Sequence, residues 1–538
     1  MVARLSLSGS YLLALQGAAH LMSDNPTWQQ QLADVRAASR RMGGERYIAK
    51  QHGLGRMSAR ERIDALLDPN SFQEYAGLVR SEMTAMRERT PADGKITGFG
   101  RLNGRAVVVH ADDATVLAGS GGRHAMQKVK RSHEYAVQRG FPVINLGDAG
   151  GVRMPDNMGA ANMMAMTDMN FGQPRNRQVP SIAAILGECY GDPSWSAARA
   201  DIVVMVKGCT MAVSGPRILA GATGEVVTPE ELGGWELHAR VTGQVDLFAD
   251  DERQAMAQIR DVLSFLPDNA SAAPPVRVSE DPADRALERA ADLIPAHARQ
   301  AFDMRRLLKM VVDDRHLLEL KPHYDPSLVT ALGRIDGHSV GLIASNSIGN
   351  AGAMGAGACE KATAFICLCD SFHIPLIGFH DSPGFFVSKA AEERKMPLKI
   401  MTLMDAWHQS TVPRFGVIVR KSYGFSHRHL VGAQMGADYL VAWPTADVSF
   451  MAPEGAVEVV YGRSIQAAAD PEAERAARLA EINRANAPWE AAERHLVDDI
   501  IDPAETRAVL ADALRRARGP YNQTVMSKRY LANWPTGF

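Results

Sequence analysis

Two stretches of this chain end a buried apolar run in a turn of small residues. Pro142-Val-Ile-Asn-Leu-Gly-Asp148 leads into Gly150-Gly151, and Pro375-Leu-Ile-Gly-Phe-His-Asp381 leads into Gly384. Where such a turn opens a helix, its backbone N–H groups have no intrahelical partner and face the space over the strand ends. That arrangement stabilises anions. Directed at an oxygen on which charge develops during reaction, fixed amides form an oxyanion hole and contribute about 10²–10³ in rate apiece. One glycine after a strand is simply what a turn needs; a set that recurs in register points to a shared role. The positions picked out for substrate contact are Gly119, Ser120, Gly150, Gly151, Tyr423 and Gly384.

The elements that must hold these turns also occur twice. Gly100-Arg-Leu-Asn-Gly104 recurs as Gly333-Arg-Ile-Asp-Gly337, and the same offset relates Lys128 to Lys361, Gly151 to Gly384, and Tyr190-Gly191 to Tyr423-Gly424. A repeat this long is a duplicated domain rather than a solenoid array. In the first copy the pattern predicts strands over Ile96–His110 and Thr115–Leu117, a turn at Gly119–Gly122, a helix over Ala125–Arg139, and apolar strands at Phe141–Leu146, Ser181–Leu186 and Ile202–Val206. In the second it predicts a strand over Gly333–Ile343, a loop over Asn346–Gly357, a helix over Cys359–Phe372 and a strand over Pro375–Phe379. Buried strands alternating with helices imply parallel pairing. Ser58 and Glu61 form a capping box before a helix that Pro69 ends, and Pro471–Arg494 reads as one solvated helix. Composition breaks at Leu266–Val276, rich in Pro, Ser and Asn. The division is an N-terminal extension over 1–45, domains over 46–270 and 291–538, and a linker over 271–290.

Composition excludes several classes. With 59 basic and 61 acidic side chains, net charge −2, no global field favours nucleic acid or an anionic membrane. Five cysteines contain no CxxC pair and leave one over, which argues against a disulfide framework or a zinc ribbon and for a reducing cytoplasm. The run Tyr11–Ala19 resembles a signal sequence but is too short to span a bilayer, which takes about 20 apolar residues. His427 and His429 lack a third metal ligand, and Gly119–Lys128 lacks the Gly-Lys-Ser/Thr ending of a phosphate loop.

Beyond this, the chain resembles the carboxyltransferase (beta) subunits of biotin-dependent acyl-CoA carboxylases of the propionyl-CoA and acetyl-CoA type. The resemblance rests on Ala59–Pro69, Phe141–Arg153, Val227–Gly234, Phe372–Phe385, Tyr439–Ala446 and Val497–Ile501 and runs from about Arg46 to the C-terminus. It implies an α/β chain of tandem crotonase-like domains, assembled as a hexamer (a trimer of dimers) with the active site between one subunit's N-domain and its dimer partner's C-domain. It implies carboxybiotin on a carrier as carboxyl donor, an acyl-CoA acceptor and no metal. Biotin carboxylase and the biotin carrier must come from a partner alpha subunit, because this chain has neither an Ala-Met-Lys-Met segment nor an ATP loop.

On the family's pattern the acyl-thioester hole falls at Gly191 and Asp192 and the biotin hole at Phe425 and Ser426. The family favours Gly-Gly in the first and Gly-Ala in the second, so the chain departs from it in both. An N–H survives either change, since only proline lacks one. Asp192 brings negative charge beside an enolate, and Phe425 narrows the biotin path. Arg428 replaces an Asp that helps set acyl choice in propionyl-type enzymes, which implies an acyl group with a polar or carboxylate substituent; pairing with a local acid is the alternative. Lys128, with Arg123 and His124 nearby, is the candidate contact for a CoA phosphate, and a solvated helix lysine is the alternative. Three readings follow: a carboxylase subunit, a decarboxylase subunit running the half-reaction backwards, and a non-catalytic acyl-CoA-binding paralogue.

Overall fold

The computed structural model describes residues 26–160, 175–295, 297, 299–518, 525–526 and 528–535. The signal-like run Tyr11–Ala19 lies outside them. Among the described residues, seventeen strands fall into two large sheets and one ribbon. In the first lobe, β1 (Gln73–Tyr75), β2 (Lys95–Leu102), β3 (Arg105–Asp112), β4 (Val143–Gly147) and β5 (Ser181–Ile185) are followed by β6 (Glu188–Tyr190), β7 (Ile202–Val206), β8 (Thr210–Ala212) and β9 (Leu247–Ala249). The sheet order is β1-β2-β3-β4-β5-β7-β9, and β6 pairs with β8 apart from it. The first three strands are antiparallel and the rest parallel.

The second lobe repeats the plan with β10 (Leu318–Leu320), β11 (Leu328–Ile335), β12 (His338–Ser345), β13 (Leu376–Ser382), β14 (Arg414–Tyr423), β15 (Tyr439–Ala442), β16 (Asp447–Ser449) and β17 (Asp499–Ile500). Its order is β10-β11-β12-β13-β14-β15-β17, with β16 beside β14. Every residue of β7 and β11 is buried, as expected of strands covered on both faces. Each lobe also carries a three-residue parallel ladder at the site: Tyr190 stands opposite Ala212 on β6–β8, and Tyr423 opposite Ser449 on β14–β16.

Local chemistry accounts for most of the agreement with the sequence and for the corrections. The predicted strand Ile96–His110 is a hairpin, because Asn103-Gly104 adopt φ of 52° and 80°, the mirror-image turn that a two-residue hairpin needs. Asp336-Gly337 repeat it at 52° and 76°, so the predicted strand Gly333–Ile343 divides between β11 and β12. Thr115–Leu117 is not a strand: Leu117 and Ala118 turn to φ 47° and 56° and begin a short 3₁₀ turn. The predicted helices are Arg123–Arg139 and Ala356–Ser371. The C-terminal helix breaks in two, Pro471–Ala485 and Pro488–Glu493, because Pro488 forces Ala487 into extended backbone. Ser58 and Glu61 form the capping box through both bonds. The proline-rich join is not free: Val276 bridges to His338, and Leu287 and Ala290 are buried in the second lobe's core.

Candidate active site

Each lobe ends its short ladder in a Tyr-Gly pair. Gly191 (φ 67°) donates its N–H to Ala212 O at 3.3 Å, and Gly424 (φ 61°) donates to Ser449 O at 2.9 Å. Those two amides therefore fasten the turns to β8 and β16. Beyond them helices begin at Asp192 (Asp192–Arg199) and Ser426 (Ser426–His429); in the second, His427 N–H turns back to Gly424 O and Arg428 N–H to Phe425 O, so the backbone donors without an acceptor among the described residues include Asp192 in the first lobe and Phe425 and Ser426 in the second. Pro193 contributes none. The Ser194 hydroxyl donates to Gly191 O and that of Ser426 to Tyr423 O, both at 2.8 Å, so both side chains fold back onto their turns; Ser426 is fully buried, whereas Phe425 beside it is exposed.

The earlier glycine turns brace these edges from below. Tyr190 N–H donates to Ala149 O, Gly150 N–H to Ala118 O and Gly121 N–H to Gly151 O. Met354 N–H donates to Gly384 O in the second lobe. A Cβ on Gly151 would meet Tyr190 O at 2.9 Å; one on Gly119 would meet Asp148 O at 2.5 Å, and one on Gly352 would meet Asp381 O at 2.6 Å. Backbone packs against backbone there, which is why glycine is required. Ser120 turns its hydroxyl to Leu117 O, and Tyr423 donates its phenol to Asp447 at 2.6 Å, so both support the turns rather than face the open edge.

Three sequence-predicted side chains sit elsewhere than expected. Asp192 is folded inward, 3.6 Å from Lys95 Nζ, and Lys95 also binds Asp112. Burial pushes the Asp192 carboxyl up, Lys95 opposes this, and Asp112 adds to it. The acid thus faces a buried cation rather than the amide edge. Lys128 is only 3 % exposed and donates to Ala92 O at 2.8 Å; burial lowers its pKa to about 7. It is a buried tie and not a surface phosphate contact. Arg428 binds Gln434 and lies 5.6 Å over the Phe425 ring, which is itself 41 % exposed, so it meets a neutral amide and a ring instead of an acid. His427 and His429 turn to different partners, and no group of three metal-ligating residues occurs among the described residues.

The supporting charges were not evident in sequence. Arg62 reaches from its helix to Asp148 at 2.9 Å and Glu252 at 2.6 Å, all three buried, and so fixes the turn before Gly150. Arg420 does the same for Asp381 at 2.8 Å. Beneath the second turn, His380 Nδ1 meets Ser422 Oγ at 2.9 Å, Ser422 Oγ meets His427 Nδ1 at 2.8 Å, and His427 Nε2 accepts from Ala433 N–H at 3.1 Å. The one sequence signal was a lysine, Lys95, directly before an apolar strand.

Comparison with known proteins gives a consistent picture. The carboxyl transferase domain family matches residues 50–529. The carboxyltransferase subunit of propionyl-CoA carboxylase from Haloferax mediterranei is 36 % identical over 496 residues, covering 90 % of this chain and 95 % of its own. The methylmalonyl-CoA decarboxylase subunit alpha of Veillonella parvula is 34 % identical over 492 residues, 90 % and 94 %. A transcarboxylase 12S crystal structure, described as a hexamer with methylmalonyl-coenzyme A and methylmalonic acid bound, superposes with a TM-score of 0.86 at 36 % identity over 92 % of this chain and 96 % of that one.

Proposed function

Since this chain belongs to the carboxyl transferase domain family, as a carboxyltransferase subunit of acyl-CoA carboxylases with two crotonase-like lobes, we propose how its two turns divide the reaction. The first-lobe turn at Gly191 and Asp192 holds the thioester oxygen of an acyl-CoA through the Asp192 amide, the Gly191 amide being taken by Ala212 O, and the second-lobe turn at Phe425 and Ser426 would hold the ureido oxygen of biotin. Biotin on a carrier subunit supplies the carboxyl group and the nitrogen that accepts the α-proton. The residues fit that neutral cyclic urea: the edge offers amide donors and its hydroxyl is turned inward. When the α-carbon loses its proton, charge moves to the thioester oxygen, and the Asp192 amide stabilises the enolate without a side-chain base. Carboxybiotin would release its carboxyl group as CO2 when its N–C bond breaks, the freed nitrogen would take the α-proton, and the enolate α-carbon would bond to the CO2 carbon.

The observation that carries this reading is the repeated Tyr-Gly ladder, which presents an amide edge in each lobe. We further propose a division near 46–270 and 291–538, assembly as the hexamer described for transcarboxylase 12S, a biotinylated partner chain, and a cytoplasmic home for the complex. Likeness to a decarboxylase subunit keeps the reverse direction as the second reading. The test is free-biotin-dependent loss of carboxylate from malonyl-, methylmalonyl- and longer carboxyacyl-CoA thioesters by the intact chain. Turnover supports the transferase reading. Silence across the panel, repeated with a biotinylated carrier present, would overturn it in favour of a binding subunit.

A further inference from the structure

Of the two residues at the second turn, Phe425 is exposed and Ser426 fully buried, so a ligand meets Phe425 first. The Phe425 amide lies in a peptide group flanked by two that are pinned. On one side Gly424 N–H is taken by Ser449 O; on the other, Phe425 O accepts from Arg428 N–H at 3.2 Å and stands 3.0 Å from Nδ1 of the His429 ring. Each neighbour is joined to the middle peptide by only two soft dihedrals, so pinning both sets the direction of the Phe425 N–H.

The histidine is itself held. Its ring is fully buried, edge-on to Phe385 at 5.0 Å and 5.1 Å from the Phe425 ring, and its own carbonyl accepts the Trp407 indole N–H at 3.1 Å. The second ring nitrogen, Nε2, lies 3.1 Å from Ile400 O. Both ring neighbours are carbonyls and can only accept, whereas burial lowers the His429 pKa against the pull of those two carbonyls and leaves a neutral ring with one N–H to give. Ile400 stands inside the helix Met396–Gln409, where a carbonyl already has its intrahelical donor, while Phe425 O has only the longer bond from Arg428. The proton therefore belongs on Nδ1. The first lobe braces its turn with the Ser194 hydroxyl instead, which leaves the two turns separately adjustable.

We propose, resting on the transferase reading above, that His429 is a positioning residue for the biotin half of the reaction: its Nδ1–H holds Phe425 O, its ring backs the Phe425 ring, and together they aim the Phe425 amide at the ureido oxygen. The test is free-biotin-dependent loss of carboxylate from malonyl-, methylmalonyl- and longer carboxyacyl-CoA thioesters by the intact chain, read separately as kcat/KM for biotin and KM for the thioester. His429→Asn keeps a donor at the Nδ1 position and His429→Gln keeps one at the Nε2 position, so a merely structural role would move both alike. The expected result is kcat/KM for biotin about tenfold lower in His429→Gln, the effect of one hydrogen bond, and within about twofold of wild type in His429→Asn, with KM for the thioester unchanged in both. Should the glutamine variant fail to fold, His429→Leu, which removes both donors, serves the same comparison. Equal losses in the two variants, or a thioester KM that rises as far as kcat/KM for biotin falls, overturn the assignment while wild-type turnover upholds the transferase reading. No biotin-dependent turnover by the wild type, with a biotinylated carrier present as well, sinks the transferase reading and the positioning role with it.

Discussion

Lys128 and Lys361 occupy equivalent positions in the two lobes, and each donates its ammonium to a backbone carbonyl 2.8 Å away, Ala92 O in one case and Tyr324 O in the other. Both are buried, and burial lowers their pKa values to about 7 and about 8. Between the folded value near 7 and the unfolded value of 10.5, Lys128 has shed its proton in the folded state and kept it in the unfolded one. More protons bound by the unfolded chain means stability that rises with pH. Urea midpoints should accordingly increase from pH 7 to pH 10 more steeply in the wild type than in Lys128→Met; parallel profiles would show that the burial cost is not there.

His427 supplies the acid-side counterpart. Burial, with Arg428 adding to it, lowers its pKa to about 4, and its Nε2 accepts the Ala433 N–H, a role available only to the neutral ring. From pH 6.5 down to 4 the unfolded chain takes up a proton that the folded chain refuses, so stability falls across that window. His427→Gln should reduce the fall measured by denaturant titration at pH 7 and pH 5. An unchanged fall would assign the acid sensitivity to other groups.

Removing Arg62 leaves Asp148 and Glu252 buried without their cation. Arg62→Met is expected to cost about 3–5 kcal/mol in urea unfolding, the range for breaking a buried ion pair from one side. Arg60→Met, next to it but with partly exposed partners, should cost no more than about 1 kcal/mol. Similar losses for both would mean that the triad is no stronger than a surface pair.

Asp192 decides between an active transferase and a binding paralogue. If its amide works and its carboxyl balances Lys95, Asp192→Gly keeps the donor but leaves the Lys95–Asp112 pair altered, and free-biotin-dependent turnover should drop by about tenfold or more. A rise in turnover would mark the carboxyl as an obstacle and the natural chain as a binding subunit.

The repeat and the capping box were legible because each rests on neighbours in sequence, whereas the Asn103-Gly104 and Asp336-Gly337 turns were read through as strand. Lys128 was not. Its helix position says only that it follows a glycine turn; its burial depends on Ala92, which tertiary packing brings beneath it. The fate of Asp192 was hidden for the same reason, since Lys95 lies almost a hundred residues earlier. Thr115–Leu117 misled because the chain turns at Leu117 while Val116 stays buried, so an apolar residue meets the core without a strand.

On the function proposed above, the anchoring of Gly191 to Ala212 and of Gly424 to Ser449 would let the chain depart from its family at both turns and keep its chemistry. The donors are peptide N–H groups positioned by strand pairing, and the varying atoms are side chains directed elsewhere. On that reading residues 192 and 425 would be free to drift under selection for a new acyl group while the backbone donors stay in place, a separation that would let one scaffold diversify its substrates one substitution at a time.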